Sequence, residues 1–314
     1  MSFPLLRLPC LALEEVLKNF NPKEILFLVQ TSLRTRRRVS RLKPISIKVL
    51  IVDGMISSYA AILCKDEDTF RIKTYTRGVS FNSSWRFQTV VPVRYEENAL
   101  VSRWTQKGIA FQEILDFLNE IFRIKDVSFD VKEDSSYLAL HILERCVSQN
   151  LKIGSVDWPL FSGSNETVER IFMASKGAYH LNIQGYNSSP IRFNHFHLFR
   201  MNRLRIGNAS WMTLENIVAL RNCKRIRLGC AWDHVSDVNT ILREFMKNPG
   251  ELQELQMSCH YANKLEEMVE GLNIFRSEEE NAMRNQKYWF TGRNGIRFSA
   301  TMERMTEIVI KRET

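Results

Sequence analysis

Between residues 127 and 257 one pattern returns six times: two apolar residues two positions apart, placed to face the same side of a β-strand. The pairs are Val127/Phe129, Leu151/Ile153, Leu181/Ile183, Leu204/Ile206, Ile226/Leu228 and Leu255/Met257, spaced 22 to 30 residues apart. Helical stripes alternate with them. Phe111, Ile114, Leu115, Leu118 and Phe122 fall on one helix face, as do Ala139, Ile142, Leu143, Cys146 and Val147. Val238, Ile241, Leu242, Phe245 and Met246 make another such face, and Leu214, Ile217 and Val218 a shorter one. A chain that alternates these units stacks strands side by side and covers them with helices, which places it in the α/β class.

Three strands carry a longer pattern: Met201-x-x-Leu204-x-Ile206, Cys223-x-x-Ile226-x-Leu228 and Leu252-x-x-Leu255-x-Met257-x-Cys259. These resemble leucine-rich-repeat strands, whose period is about 20–29 residues. The spacing predicts a leucine-rich-repeat-like α/β solenoid over 111–260, with an ordinary α/β domain as the alternative. Residues 45–110 read as a β-rich connecting segment. Ile45, Ile47, Val49 and Ile51 alternate, as do Phe70, Ile72 and Thr74; Val90 to Val93 form a third run, and Asp53-Gly54 and Arg77-Gly78 mark turns. Residues 261–314 fit a C-terminal cap: a charged helix from Leu265 to Gln286, a hairpin turning at Asn294-Gly295, and a last strand at Ile308-Val309-Ile310.

Residues 1–44 form a separate helical unit. Leu13, Val16, Leu17 and Phe20 share one face of a first helix. Asn21-Pro22 ends it and opens a second helix with Asn21 as its cap, in which Ile25, Leu28, Val29 and Ser32 keep the spacing. A unit this small carries more apolar positions than two short helices can hide, so a covering partner is expected. No Gly/Ser/Pro tract follows it, which predicts a rigid junction with the next segment.

Leu8-Pro9, Val16-Leu17, Phe20-Asn21-Pro22, Ile25, Leu28 and Ser32 together resemble the F-box. The opening Phe3-Pro4-Leu5-Leu6-Arg7-Leu8-Pro9 is similar to nematode F-box proteins that carry a type-2 F-box-associated domain. The resemblance implies the substrate-recognition subunit of an SCF (cullin–RING) ubiquitin ligase. Leu8, Pro9, Val16, Leu17, Phe20, Pro22, Ile25 and Leu28 would then be shared between the module's own core and the adaptor surface. Through the adaptor the chain would join the cullin–RING core, and the rest of it would hold a protein substrate.

The net charge of +9 is uneven: residues 1–45 carry nine Lys/Arg against three Asp/Glu, chiefly Arg34, Arg36, Arg37, Arg38, Arg41 and Lys43. This run reads as a solvated helix end, with a nuclear signal or a nucleic-acid contact as the other readings. A second basic feature lies in the strands. If Leu204/Ile206 and Ile226/Leu228 face the core, Arg203, Arg205, Arg225 and Arg227 face outward together, a receptor for carboxylates or a phosphorylated segment.

No phosphate loop, nucleophile elbow or His-Glu-x-x-His pair is present, and nothing meets the geometric minimum for catalysis. His195-Phe196-His197 places two imidazoles on one side of a possible strand, without further ligands to complete a metal site. The Glu278-Glu279-Glu280 run reads as helix surface. The expectation is a non-catalytic protein with neither cofactor nor metal. The alternative is a basic repeat protein that binds nucleic acid, or another protein outside any ubiquitin pathway. No stretch approaches the roughly 18 apolar residues of a membrane span, and the six cysteines are scattered without a Cys-x-x-Cys pair. Cytoplasm or nucleus is the expected compartment.

Overall fold

Asn21 and Pro22 set the first internal boundary. Helix α1 (Cys10–Lys18) stops before them, and α2 (Pro22–Gln30) begins on them. Asn21 Oδ1 accepts from the Glu24 amide at 2.9 Å while Glu24 Oε2 accepts from the Asn21 amide at 2.8 Å, a reciprocal cap. Ser32 does not continue α2. Its hydroxyl accepts from the Thr35 amide at 3.1 Å and starts a third helix, α3 (Leu33–Leu42), out of the basic run.

In this computed structural model the described residues are 5–54, 57–65, 67–76, 80–132, 137–159, 164–184, 191–232, 235–259, 265–272, 274–276, 287–292, 295–303 and 306–313. Phe3, Pro4, the Arg77-Gly78 turn, Asn294 and Glu278–Glu280 lie outside them. The chain divides into two units, Met1–Gly154 and Ser155–Thr314.

In the first unit, α1–α3 are followed by β1 (Ser46–Asp53), β2 (Ser58–Cys64), β3 (Glu67–Tyr75), β4 (Ser83–Arg86), β5 (Val90–Glu96), β6 (Ala99–Arg103), α4 (Lys107–Ile121), β7 (Arg123–Val131) and α5 (Tyr137–Ser148). The sheet order is β7-β1-β2-β3-β6-β5-β4, parallel at β7–β1 and β3–β6 and antiparallel elsewhere. The α4 stripe is buried throughout, with Phe111, Ile114, Leu115, Leu118 and Phe122 all inside. In α5 the stripe holds through Cys146, but Val147 is exposed.

In the second unit, β8 (Ile153–Trp158) begins at the boundary. There follow α6 (Asn165–Ser175), β9 (His180–Ile183), β10 (Arg203–Ile206), α7 (Leu214–Ala219), β11 (Arg225–Trp232), α8 (Val235–Lys247), β12 (Glu254–Cys259) and α9 (Leu265–Met268). The chain ends with β13 (Ile274–Arg276), β14 (Lys287–Thr291), β15 (Arg297–Glu303) and β16 (Glu307–Arg312). Strands β8 to β12 are parallel neighbours in chain order; β16, β15, β14 and β13 then extend the sheet antiparallel from β12. The hairpin of β14 and β15 sets Tyr288 opposite Ala300 and Phe290 opposite Phe298. Gly295 has φ 72°, the left-handed turn geometry that glycine takes without strain.

The leucine-rich-repeat-like solenoid and its C-terminal cap are overturned. The architecture is α/β with mixed sheets, and the N-terminal helices lead into a large sheet. The repeat signal was real as strand chemistry: Leu181/Ile183, Leu204/Ile206, Ile226/Leu228 and Leu255/Met257 lie in register and are buried. It came from parallel strands joined by helical crossovers, which produce such spacing in any α/β sheet. The parallel strands do not end in a separate cap: β12 is hydrogen-bonded to antiparallel β16, and the same sheet runs on through β15, β14 and β13. One pair was also misplaced. Opposite Leu181 and Ile183 stand Val156 and Trp158, while Leu151 precedes the strand and Ile153 lies before this paired stretch. Of the charged helix expected over 265–286, Leu265–Met268 is helical and Ile274–Arg276 is a strand, while residues 277–286 lie outside the described residues.

Candidate functional site

The eight positions whose pattern resembles the F-box divide by burial. Leu17, Pro22 and Ile25 are buried inside the first unit. Leu8, Val16, Phe20 and Leu28 are half-buried, and Pro9 is exposed. Beside Pro9 stands Leu11, the most exposed large apolar side chain among the described residues at 79% of its free area, and Leu33 at the start of α3 is 50% exposed. Together Leu8, Pro9, Leu11 and Ala12 give the start of α1 an apolar outer side, while Leu13 and Leu17 face the core. Leu11 escaped the sequence reading because it lies off the helical stripe. An apolar residue off the stripe is the signal that could have found it.

The inner side of the module is covered by the protein's own sheet. Phe27 of α2 stacks on Tyr95 with ring centroids 5.0 Å apart, and meets Trp85 edge-on at 5.5 Å and Phe70 at 6.4 Å. Trp85 Nε1 in turn donates to the Tyr95 hydroxyl. Lys43 Nζ donates to the Asn119 carbonyl at 2.5 Å and Lys23 Nζ to the Glu97 carbonyl at 2.9 Å. The expected excess of apolar surface is therefore largely consumed within the unit, and what remains lies at the start of α1 and at Leu33 of α3.

The basic run is also split. Arg36 is buried and serves structure, whereas other arginines of the run are solvated. Its Nε and Nη2 donate to the two Glu120 carboxylate oxygens at 3.0 and 2.6 Å. Its Nη1 donates to the carbonyls of Arg86 and Phe87 at 2.8 and 2.9 Å, and the guanidinium lies 4.8 Å over the Phe117 ring. The planar fork and permanent charge of arginine suit this site; lysine could not make the same set. Arg34, Arg37 and Arg41 are exposed.

In the second unit the four outward arginines share one sheet face. Register places Arg203 opposite Arg225 and Arg205 opposite Arg227, while Leu204, Ile206, Ile226 and Leu228 are buried behind them. The outer row through Arg203 continues to His180 on one side and Glu254 on the other; the row through Arg205 runs from Asn182 to Gln256. Arg227 Nη2 donates to Glu307 Oε1 at 3.1 Å, and Gln256 Nε2 donates to Glu307 Oε2 at 2.6 Å. Arg203, Arg205 and Arg225 have no carboxylate partner among the described residues. The Nε of Arg225 is shielded from solvent and has no hydrogen-bond acceptor there. Partial burial first, then the charges of Arg203 and Arg225, hold the His180 imidazole below its ordinary range; Asp157 pulls the other way.

Other candidates fall away. Phe196–Leu198 is a short 3-10 turn and not a strand, and the rings of His195 and His197 are 6.0 Å apart. Among the described residues no group of three or more His, Cys, Asp or Glu side chains gathers where a metal could sit. Burial pushes the Cys146 thiol up to about 12 and that of Cys223 to about 11, so both stay protonated and unreactive at neutral pH. Among the described residues no helix is long and apolar enough to cross a membrane.

No family model matches the chain, and no solved structure matches it. The chain is similar to the Skn-1 dependent zygotic transcript 15 protein of Caenorhabditis elegans, with 23% identity over 273 residues covering 79% of this chain and 77% of that protein.

Proposed function

We propose that the chain is a non-catalytic substrate-recognition subunit of an SCF ubiquitin ligase, docking on the SCF adaptor through the outer surface of its N-terminal helices. The observation that carries this reading is the exposed apolar surface of Pro9, Leu11 and Ala12, flanked by half-buried Leu8 and Val16. It persists although Phe27 on the inner side of the same helices is packed against the sheet. A surface of this kind gains from being covered, and a few apolar anchors dominate most interfaces. The Leu8-Pro9 and Phe20-Asn21-Pro22 sequences resemble the F-box at these positions, and the similar C. elegans protein fits a nematode-type assignment.

In this reading the chain forms and breaks no bonds. It holds a substrate near the charged conjugating enzyme, and the rate gain is one of proximity. The cytoplasm or nucleus, where such ligases act, is part of the same proposal. The test is purification of the tagged full chain from nematode extract followed by mass spectrometry. Recovery of an SCF adaptor and a cullin from the wild type, with loss of both from Leu11→Asp, supports the assignment. Equal recovery from both proteins overturns it.

A further inference from the structure

We infer that the outward face of β9 to β11 in the second unit is a receptor for a phosphorylated segment of a protein partner, with Arg203, Arg205 and Arg225 as the phosphate ligands. The inference deepens the reading above by naming a substrate class. It rests on that reading only in taking the partner to be a protein.

Geometry comes first. Two arginines on each of two paired strands make a rectangle about 4.8 Å across the strands and about 6.6 Å along them. The pairs Arg203–Arg225 and Arg205–Arg227 are its short sides. Guanidinium groups at that spacing can converge on one tetrahedral anion, each offering two parallel N–H donors. The buried Leu204, Ile206, Ile226 and Leu228 fix the strand positions beneath them, so the cations are brought together when the sheet forms.

Charge comes second. Like charges directly opposite one another on paired strands are destabilising. Here two such pairs stand side by side, and of the four arginines one, Arg227, has a carboxylate partner among the described residues. The Arg225 Nε lacks an acceptor. A dianion relieves both conditions. Glu307 acts as an internal competitor that occupies Arg227 and is itself steadied by Gln256. That leaves the other three as the available ligands.

The border of the patch selects the class of partner. Asp157, paired to Asn182 at 2.7 Å, stands beyond Arg205 on one side; Glu254 and Glu307 stand on the other. The positive surface is therefore about two strands wide. A nucleic-acid backbone, with its continuous file of phosphates, would run onto these carboxylates, whereas a single phosphorylated side chain would not.

The test uses the full chain and three immobilised probes: an oriented phosphoserine/phosphothreonine peptide library, the same library without phosphate, and a 20-nucleotide single-stranded oligonucleotide. The wild type should retain the phosphorylated library about tenfold better than its control. Arg203→Gln with Arg205→Gln should abolish that preference. Glu307→Gln, which frees Arg227, should strengthen it about twofold to fivefold. Arg205→Lys keeps the charge but loses the fork, and should fall between. Equal retention of the two libraries overturns the inference. So does preferential retention of the oligonucleotide, which would assign the face to nucleic acid. Adaptor binding is measured on the same proteins. A wild type that binds the phosphorylated library but not the adaptor defeats the ligase reading alone; the converse defeats this inference alone.

Discussion

Gln30 of α2 and Arg86 of β4 hold each other in both directions: Gln30 Oε1 accepts from the Arg86 amide at 2.9 Å, and Gln30 Nε2 donates to the Arg86 carbonyl at 3.2 Å. The primary amide thus takes the place of a strand neighbour on the outer side of β4, the last strand of its sheet. Arg36 adds a second bond to the same carbonyl and one to that of Phe87. Sheet edges are sites of unwanted pairing, and this one is bound at Arg86 by side chains of α2 and α3.

Removal of residues 1–44, the obvious way to test the proposed docking module, should therefore damage the body of the first unit. It uncovers the β4 edge and the Phe70, Trp85 and Tyr95 rings that Phe27 covers. The truncated chain should elute as aggregate in size-exclusion chromatography. A monomeric truncated chain that melts at the wild-type temperature would contradict the edge-closing role.

Within the basic run, position decides the effect. Arg36→Gln should cost on the order of 3 kcal/mol in denaturant unfolding, because two carbonyls and a carboxylate lose their donor. Glu120 is partly exposed, so Glu120→Gln should cost only about 1 kcal/mol. Arg37→Gln, on the solvent side of the same helix, should stay within about 0.5 kcal/mol of wild type. Equal losses for Arg36 and Arg37 would contradict the clamp.

His180 reports the field of the arginine face. Its neighbours are Arg203, Arg225, Asp157, the Asn202 amide at 3.4 Å and the Tyr179 ring. Its folded pKa is lowered from 6.5, so the unfolded chain takes up the proton first. Its contribution to stability is complete above 6.5 and is lost as pH falls from there through the folded value. Arg203→Gln should raise the His180 titration midpoint in an NMR pH series. An unchanged midpoint would show that burial alone sets it.

Gly229 tests the sheet beneath the arginines without touching them. A Cβ there would run into the backbone carbonyl of Gly207. Gly229→Ala should destabilise the protein by about 2 kcal/mol or more, since the obstacle is backbone and cannot rotate away. Chemical unfolding of the variant gives the answer; a wild-type midpoint would mean that the two strands separate there at little cost.

Local chemistry was legible in the sequence, and its assembly was less so. The Asn21 cap, the α4 stripe, the hairpin around Phe290 and Phe298, and the outward placement of the four arginines all follow from periods of 3.6 and 2 and from turn chemistry. Helix α6 was missed, although Val168, Ile171 and Phe172 make a short stripe behind the Ser164 cap. The solenoid reading failed because spacing describes how far the chain travels between strands. It does not say which strand pairs last: β16 joins β12 from 51 residues away in the Gln256–Glu307 bond. The Arg36 clamp was illegible for the same reason, since Glu120 stands 84 residues away and a basic run looks alike whether one member is buried or none.

The most direct measurement is the affinity of the full chain for purified SCF adaptor by isothermal titration calorimetry, for wild type, Leu8→Ala with Pro9→Ala, and Arg37→Gln. Circular dichroism of each protein checks that it is folded. The exposed apolar surface at the start of α1 predicts saturable wild-type binding, weakened by about 1–3 kcal/mol in the Leu8/Pro9 variant and unchanged in Arg37→Gln. A folded wild type that releases no heat with adaptor, or a folded Leu8/Pro9 variant that binds as tightly as wild type, would contradict the assignment.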